Sequence, residues 1–480
     1  MKTATPLLVV AASLAGQTID ALSLPSTTPT QQQQRRDGSG PRVVGMDIQR
    51  RTPKNPLHRD QLRKRGSVEV DLDNQETLYF INGTIGTPPK SLRLHLDTGS
   101  SDLWVNTPSS SLCIQSSAPC KYAGTYSANG SSTYEYIGSW FNISYVDGSG
   151  ASGDYVSDTV TFGDATLDRL QFGIGYSSNN AQGILGIGYP INEVQVGRAG
   201  MRPYNNLPAQ MVADGLIQTN AYSLWLNDLD ADTGNILFGG VDTEKFVPPL
   251  MSLPVESEAG VYAEFMITLT KVELGSAQVG GNLALAVLLD TGSSLTYLPD
   301  RMVQDIFDLV DAQYDPEANA AYVPCSLADN ETAVLSFTFT EPTINVGMDE
   351  LVLDLVTSSG RRPVFSDGTE ACLFGIAPAG EGTNVLGDTF LRSAYVVYDL
   401  ENNEISLAAT RFNSTGTRVE EIGKGEGGVP GATRVENPTK ATEGLDGPNG
   451  LGGISAGNKR GLGVGVVWLV AGMVGVLLVV

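Results

Sequence analysis

The chain has 480 residues, 41% hydrophobic and 17% charged, with a net charge of −23. That length argues for two or more domains, and so acidic a body argues against nucleic acid as a partner. The two histidines, His58 and His95, leave almost no material for a histidine-dependent triad or a histidine-rich metal centre.

Met1 and Lys2 are followed by "PLLVVAASLAG" and small residues near Ser13–Ala15, the pattern of a secretory signal peptide, placed at residues 1–20. Next come the low-complexity stretch "PSTTPTQQQQRRDGSG" and the basic pairs Arg35–Arg36, Arg50–Arg51 and Lys64–Arg65. Residues 1–65 hold 11 Lys and Arg against 4 Asp and Glu, whereas residues 66–480 hold 19 against 49. This sign change marks residues 21–65 as a basic pro-segment cut after Lys64–Arg65, its cations covering an acidic cleft until acid weakens the pairing.

From Ser67 onward, runs of Val, Ile, Thr, Tyr and Phe between Gly- and Asn-rich turns predict an all-β body with short helices. Two stretches inside it match: "LHLDTGSSDLW" from Leu94 and "LLDTGSSLTYLP" from Leu288. Each reads as strand, tight turn, strand. Gly99 and Gly292 let the backbone fold back, while the hydroxyls of Thr98, Ser100, Thr291 and Ser293 are placed to hydrogen-bond the carboxylate or nearby backbone. Each copy is followed later by two aliphatic residues and a glycine, Ile184-Leu185-Gly186 and Val385-Leu386-Gly387. An internal repeat follows, with an N-terminal lobe at 66–245 and a C-terminal lobe at 246–412. "NDLDADTGN" (Asn227–Asn235) carries Asp228, Asp230 and Asp232 at calcium-loop spacing, but Thr233 and Gly239 stand where that loop needs Gly and Glu, so it reads as a hairpin turn.

Cys113 and Cys120 bracket a short loop, and Cys325 and Cys372 fall together later; two local disulfides are the simplest of three possible pairings. Glycosylation sequons begin at Asn82, Asn129, Asn142, Asn330 and Asn413. Residues 413–460, rich in Gly, Thr and Glu, read as a flexible stalk. The last 20 residues, Gly461–Val480, are apolar and follow small residues and Lys459–Arg460. This is the order of a GPI-attachment signal, with Ser455 as the expected attachment residue; a retained single-pass anchor is the alternative.

Two related lobes, each presenting one aspartate, set Asp97 and Asp290 face to face across a cleft. Two close carboxylates do not both ionise readily, so they share a proton. One then acts as base on a bridging water while the other, protonated, polarises a carbonyl. That chemistry hydrolyses an amide in acid with no metal, cofactor or covalent intermediate.

These motifs resemble the pepsin family of aspartic endopeptidases over about residues 70–412: "DTGSSDLWV", "DTGSSLTYLP" and "VLGDTFLRSAYVVYDLENNEISLA" stand in family order. The resemblance implies a bilobal β fold, Asp97 and Asp290 as the catalytic pair, Thr98 and Thr291 locking the two loops together, and Ser100 and Ser293 supporting the aspartates. It also implies a flap over the substrate, matched by "WFNISYVDGSGASGDYVSDTV" from Trp140, with Tyr145 near its tip and Trp104 as hydrogen-bond partner; Val146 stands where the family often has Gly. Together with the pro-segment and the C-terminal signal, the chain is similar to the yapsin-like, surface-anchored proteases of fungi, which implies a preference for basic residues, with Asp147 beside the flap tip as its candidate determinant. The expectation is a monomeric enzyme acting on peptides or proteins at the plasma membrane or cell wall. The competing reading is a catalytically inactive relative serving as a surface-binding protein.

Overall fold

The computed structural model describes residues 42–51, 78–145, 148–231, 233–316, 318–355 and 361–445. The signal peptide, most of the pro-segment, Val146 and Asp147, the attachment residue Ser455 and the apolar tail lie outside them. Among the described residues no helix is long and apolar enough to cross a membrane.

The first half is built from β1 (Val44–Arg51), β2 (Leu78–Ile85), β3 (Lys90–Asp97), β4 (Leu103–Asn106), β5 (Glu135–Ser144), β6 (Gly150–Phe162), β7 (Ala165–Ser178) and β8 (Gly183–Gly186). In β3 the leucines of "LRLHLD" (Leu92, Leu94, Leu96) are buried on one face at the two-residue period of a strand. His95, on the other face, is also buried, so the end of β3 that delivers Asp97 is covered on both sides.

The sequence repeat becomes a repeat of strand pairing. β3 runs parallel to β8, with Asp97 opposite Gly186, and β8 pairs antiparallel with β4, which runs parallel to β7. In the second half, Leu285–Leu289 runs parallel to Val385–Leu386, which pairs antiparallel with Thr296–Leu298, itself parallel to Ile376–Pro378. The Ile-Leu-Gly and Val-Leu-Gly segments are the strands that lie beside each aspartate's own strand. The halves are also joined through one continuous sheet, in which Ala221–Trp225 pairs with Ala394–Asp399 across the expected lobe boundary at residues 245 and 246.

The described residues near both ends belong to the body, and for the stalk this corrects the expected boundary. Within the expected pro-segment, β1 is a central strand of the body, hydrogen-bonded to Thr233–Phe238 on one side and to β2 on the other, with Val44, Met46 and Ile48 buried. Its alternating apolar residues give it a place in a two-sided sheet that charge counting alone does not show. The stalk does not begin at 413. Val419–Glu421 pairs with Gly240–Asp242, and Ala432–Arg434 pairs with Leu250–Ser252. The Thr442 N–H donates to the Ala284 carbonyl at 2.8 Å, and the Ala286 N–H to the Glu443 carbonyl at 2.8 Å. Ile422, Val429 and Val435, spaced through a polar stretch, are the apolar anchors buried in the body.

The cysteines form the two local disulfides, Cys113–Cys120 and Cys325–Cys372. The Asn227–Asn235 stretch connects the antiparallel strands Ala221–Trp225 and Thr233–Phe238.

Candidate active site

β3 and the strand Leu285–Leu289 each end at an Asp-Thr-Gly turn, and the two turns meet. The Thr98 N–H donates to Thr291 Oγ1 at 3.1 Å, and the Thr291 N–H donates to Thr98 Oγ1 at 3.0 Å. Each hydroxyl passes its own proton to the strand opposite: Thr98 Oγ1 to the Leu289 carbonyl at 3.0 Å, Thr291 Oγ1 to the Leu96 carbonyl at 2.9 Å. Both threonines are buried, so this is a closed set of four bonds with no water competing for them.

The two carboxylates are held alike. Asp97 Oδ1 accepts the Gly99 N–H at 2.9 Å and Asp97 Oδ2 the Ser100 hydroxyl at 2.6 Å. Asp290 Oδ1 accepts the Gly292 N–H at 2.7 Å and Asp290 Oδ2 the Ser293 hydroxyl at 2.8 Å. A Cβ on Gly292 would stand 2.5 Å from Asp97 Oδ1 and 2.8 Å from Asp290 Oδ1, so both oxygens flank one point. A Cβ on Gly99 would stand 2.6 Å from Asp290 Oδ1. The glycines are therefore required by the approach of the opposite carboxylate as well as by the turn.

β5 and β6 form the hairpin that reaches over this turn pair. Phe141 and Ile143 are buried on its inner face with Trp104. Near the tip the Tyr145 N–H donates to the Ser149 carbonyl at 2.8 Å and the Gly148 N–H to the Tyr145 carbonyl at 3.0 Å. Trp104 Nε1–H donates to the Tyr145 hydroxyl at 2.8 Å. Burial, and then the Asp97 carboxylate nearby, push the Tyr145 phenol well above its ordinary pKa, so it stays protonated as a donor.

Behind the hairpin lies a buried acidic cluster that the sequence reading missed. Asp102 Oδ1 accepts the hydroxyls of Tyr155 at 2.5 Å and Tyr204 at 3.0 Å, and Asp102 Oδ2 accepts the Val194 N–H at 2.8 Å. Burial raises the Asp102 pKa against these three donors. Glu193, fully buried, accepts the Tyr204 N–H at 2.8 Å on Oε2, and among the described residues its Oε1 has no hydrogen-bond donor. Burial, and then the Asp102 charge, push Glu193 up to about 10. Burial thus raises both carboxyls, and Glu193 is held neutral at pH 7. A second buried pair joins Arg392 Nε to Glu350 Oε2, with Arg392 Nη2 also donating to the Glu350 carbonyl at 2.5 Å. The visible signal for Asp102 was its position two residues before Trp104; nothing local marked Glu193 or Glu350.

The comparisons define the class. Residues 78–410 match the model of the family described as eukaryotic aspartyl protease, and the chain belongs to that family. It is an aspartic-type endopeptidase. The chain is 57% identical over 406 residues to "Probable aspartic-type endopeptidase opsB" of Aspergillus oryzae, covering 83% of this chain and 82% of the relative. It is 51% identical to "Probable aspartic-type endopeptidase OPSB" of Trichophyton verrucosum, covering 87% and 86%. "Secreted aspartic protease 1" of Candida albicans is 37% identical, covering 76% of this chain and 89% of the relative. Among solved structures, the aspartic proteinase from Irpex lacteus superposes with a TM-score of 0.57 at 21% identity, over 78% of this chain and all of that one, which supports the two-lobed β fold.

Proposed function

We propose that this chain is a secreted, surface-anchored endopeptidase in which Asp97 and Asp290 work as one acid–base pair. The observation that carries this reading is the mutual grip of Thr98 and Thr291, which sets both carboxylates against one point. One aspartate is ionised and takes a proton from the water lodged between them as that water's oxygen bonds to the peptide carbonyl carbon. The other, protonated, gives its proton to the carbonyl oxygen. The resulting diol collapses with a proton passing to the amide nitrogen, and the C–N bond breaks. Tyr145, held by Trp104, closes the site from above and excludes bulk water. Because one carboxyl must stay protonated, the reaction is favoured in acid.

Asp97→Asn and Asp290→Asn each remove half of the pair while keeping its shape. Peptide cleavage by either variant should fall by at least about a thousandfold, on the scale of losing an essential acid–base group. Retained activity in one folded variant would sink the paired mechanism.

Localisation rests on the leader, the sequons and the tail, with the similarity to a relative named as a secreted protease in support. Release of the native protein from membranes by a phosphatidylinositol-specific lipase tests GPI attachment at or near Ser455 against a retained anchor. The central position of β1 supports a zymogen whose pro-segment is part of the fold; a chain lacking residues 22–65 should be secreted poorly or lack latency. A preference for Lys or Arg at the cleaved bond follows from the acidic body and Asp147. Peptide-library cleavage by wild type and Asp147→Ala tests it, and an unchanged profile would remove Asp147 from the reading.

A further inference from the structure

A groove of about 650 Å³ on the outer surface of the first half is lined by Asn82, Thr84, Ser91, Arg93, Lys121 and Tyr122, among others, and no carboxylate lines it. The body around it is strongly acidic. Asn82 is the exposed residue of β2, after four buried ones, and directly faces Arg93 across the β2–β3 ladder; Thr84 faces Ser91 one rung on. Asn82, Thr84, Arg93 and Ser91 therefore share one face of the sheet. The Arg93 guanidinium lies 4.8 Å from the Phe80 ring and 4.8 Å from the Tyr122 ring, which fixes it as a wall of the groove. Tyr122 keeps half of its surface open.

Asn82-Gly83-Thr84 is also a glycosylation sequon. We propose that Asn82 carries an N-linked glycan whose first sugars lie in this groove. The apolar face of a sugar ring stacks on the open part of Tyr122. Arg93 and Lys121 donate to the N-acetyl carbonyl and hydroxyl oxygens, and the hydroxyls of Thr84 and Ser91 complete the polar contacts. The Asn82 side chain is exposed on its strand, so a sugar can be attached without displacing a buried contact. By contrast, Asn129 sits on an exposed turn, Asn330 Oδ1 accepts both the N–H and the hydroxyl of Thr332, and the Asn413 amide donates to Asp228.

This inference rests on the secretory reading. The test uses full-length protein from a glycosylating fungal host, with glycopeptide mass spectrometry at each sequon and peptide-N-glycosidase digestion of the native and denatured protein. Asn82 should be occupied, and its glycan should be released at least tenfold more slowly than that of Asn129 from native protein, but equally fast after denaturation. Tyr122→Ala should abolish the difference. Asn82→Gln, or Thr84→Ala as a second way of losing the sequon, should lower Tm, and adding Tyr122→Ala should lower it no further. A glycan on Asn129 but none on Asn82, or equal native release at both, overturns this inference alone. An absence of glycan at every sequon overturns the secretory reading with it.

Discussion

Thr98 and Thr291, 193 positions apart, each give a backbone N–H to the other's hydroxyl. The same hydroxyls donate onward to Leu289 and Leu96, the residues just before the two aspartates. The two turns are thus locked to each other through backbone and threonine hydroxyls, while each carboxylate is held within its own turn by a glycine N–H and a serine hydroxyl. Replacing Thr98 by Val keeps the shape but strands the Thr291 N–H and the Leu289 carbonyl in a buried site. Each orphaned group costs about 1–3 kcal/mol. Thr98→Val should therefore lower Tm and cut kcat by on the order of a hundredfold through misplacement of the pair, whereas Thr98→Ser should stay close to wild type. Because the four bonds form one unit, the double change with Thr291→Val should cost less than the two single changes together. Calorimetry and peptide-cleavage kinetics on the four proteins decide this; strict additivity would mean that the bonds act independently.

Glu193 gives stability a pH slope of defined sign. Its native pKa is pushed up to about 10 from an ordinary 4.5. Below 4.5 both folded and unfolded chains hold the proton, and the contribution is fully present. As pH rises past that value only the unfolded chain releases it, so stability falls, by at most about 1.4 kcal/mol per pH unit, until the native pKa is passed. Asp102, raised by burial, tilts stability the same way. Glu193→Gln keeps the acceptor for the Tyr204 N–H and removes the titration. Denaturant unfolding should find the variant and wild type similar near pH 4 and the variant more stable at pH 7. Parallel pH profiles would show that Glu193 is not the group that titrates.

The repeat was readable because it is local: six residues twice, each with a hydrophobic lead-in and a later aliphatic-aliphatic-Gly partner. The Tyr145–Trp104 bond was readable through resemblance to family motifs. Asp102 and Glu193 were not, because their partners Tyr155 and Tyr204 come from other elements and only the fold assembles them. Composition misled at the C-terminal end, and at the N-terminal end it said nothing of β1. Basic and Gly-rich stretches look unstructured when averaged, yet a few spaced apolar residues, Met46 and Ile48 in one and Ile422 and Val429 in the other, are enough to seat a segment in an existing sheet.

The segment after Thr410 lies beyond the family match, which ends there, yet it is part of the body. Its last bonds, from Ala286 and to Ala284, hold the strand that leads into Asp290. A chain ending at Leu445 should keep the Tm and activity of the longer chain, while one ending at Phe412 should lose both. Ile422→Ala, in a position with no exposure, gives a milder version and should cost about 2–5 kcal/mol. Thermal unfolding of the three variants checks this; a Phe412-terminated protein of unchanged Tm would return the segment to the status of a tether.

Arg392 and Glu350 form a fully buried ion pair, and Glu350 Oε1 also accepts the Leu229 N–H at 3.0 Å. Burial works against the Arg392 charge, and the adjacent Glu350 carboxylate more than restores it, leaving its pKa raised. Removing one partner strands the other charge in a site with no water to solvate it. Arg392→Met alone should therefore destabilise by about 3–5 kcal/mol. Replacing both, Arg392→Met with Glu350→Leu, removes two desolvation costs along with the attraction, and its losses are the bonds to the Leu229 N–H and the Glu350 carbonyl. The double variant should recover most of the stability lost by the single one. Denaturant unfolding of the single and double variants measures the coupling directly. If the double variant loses as much stability as Arg392→Met and Glu350→Leu added together, the two side chains act independently and the coupled pair is refuted.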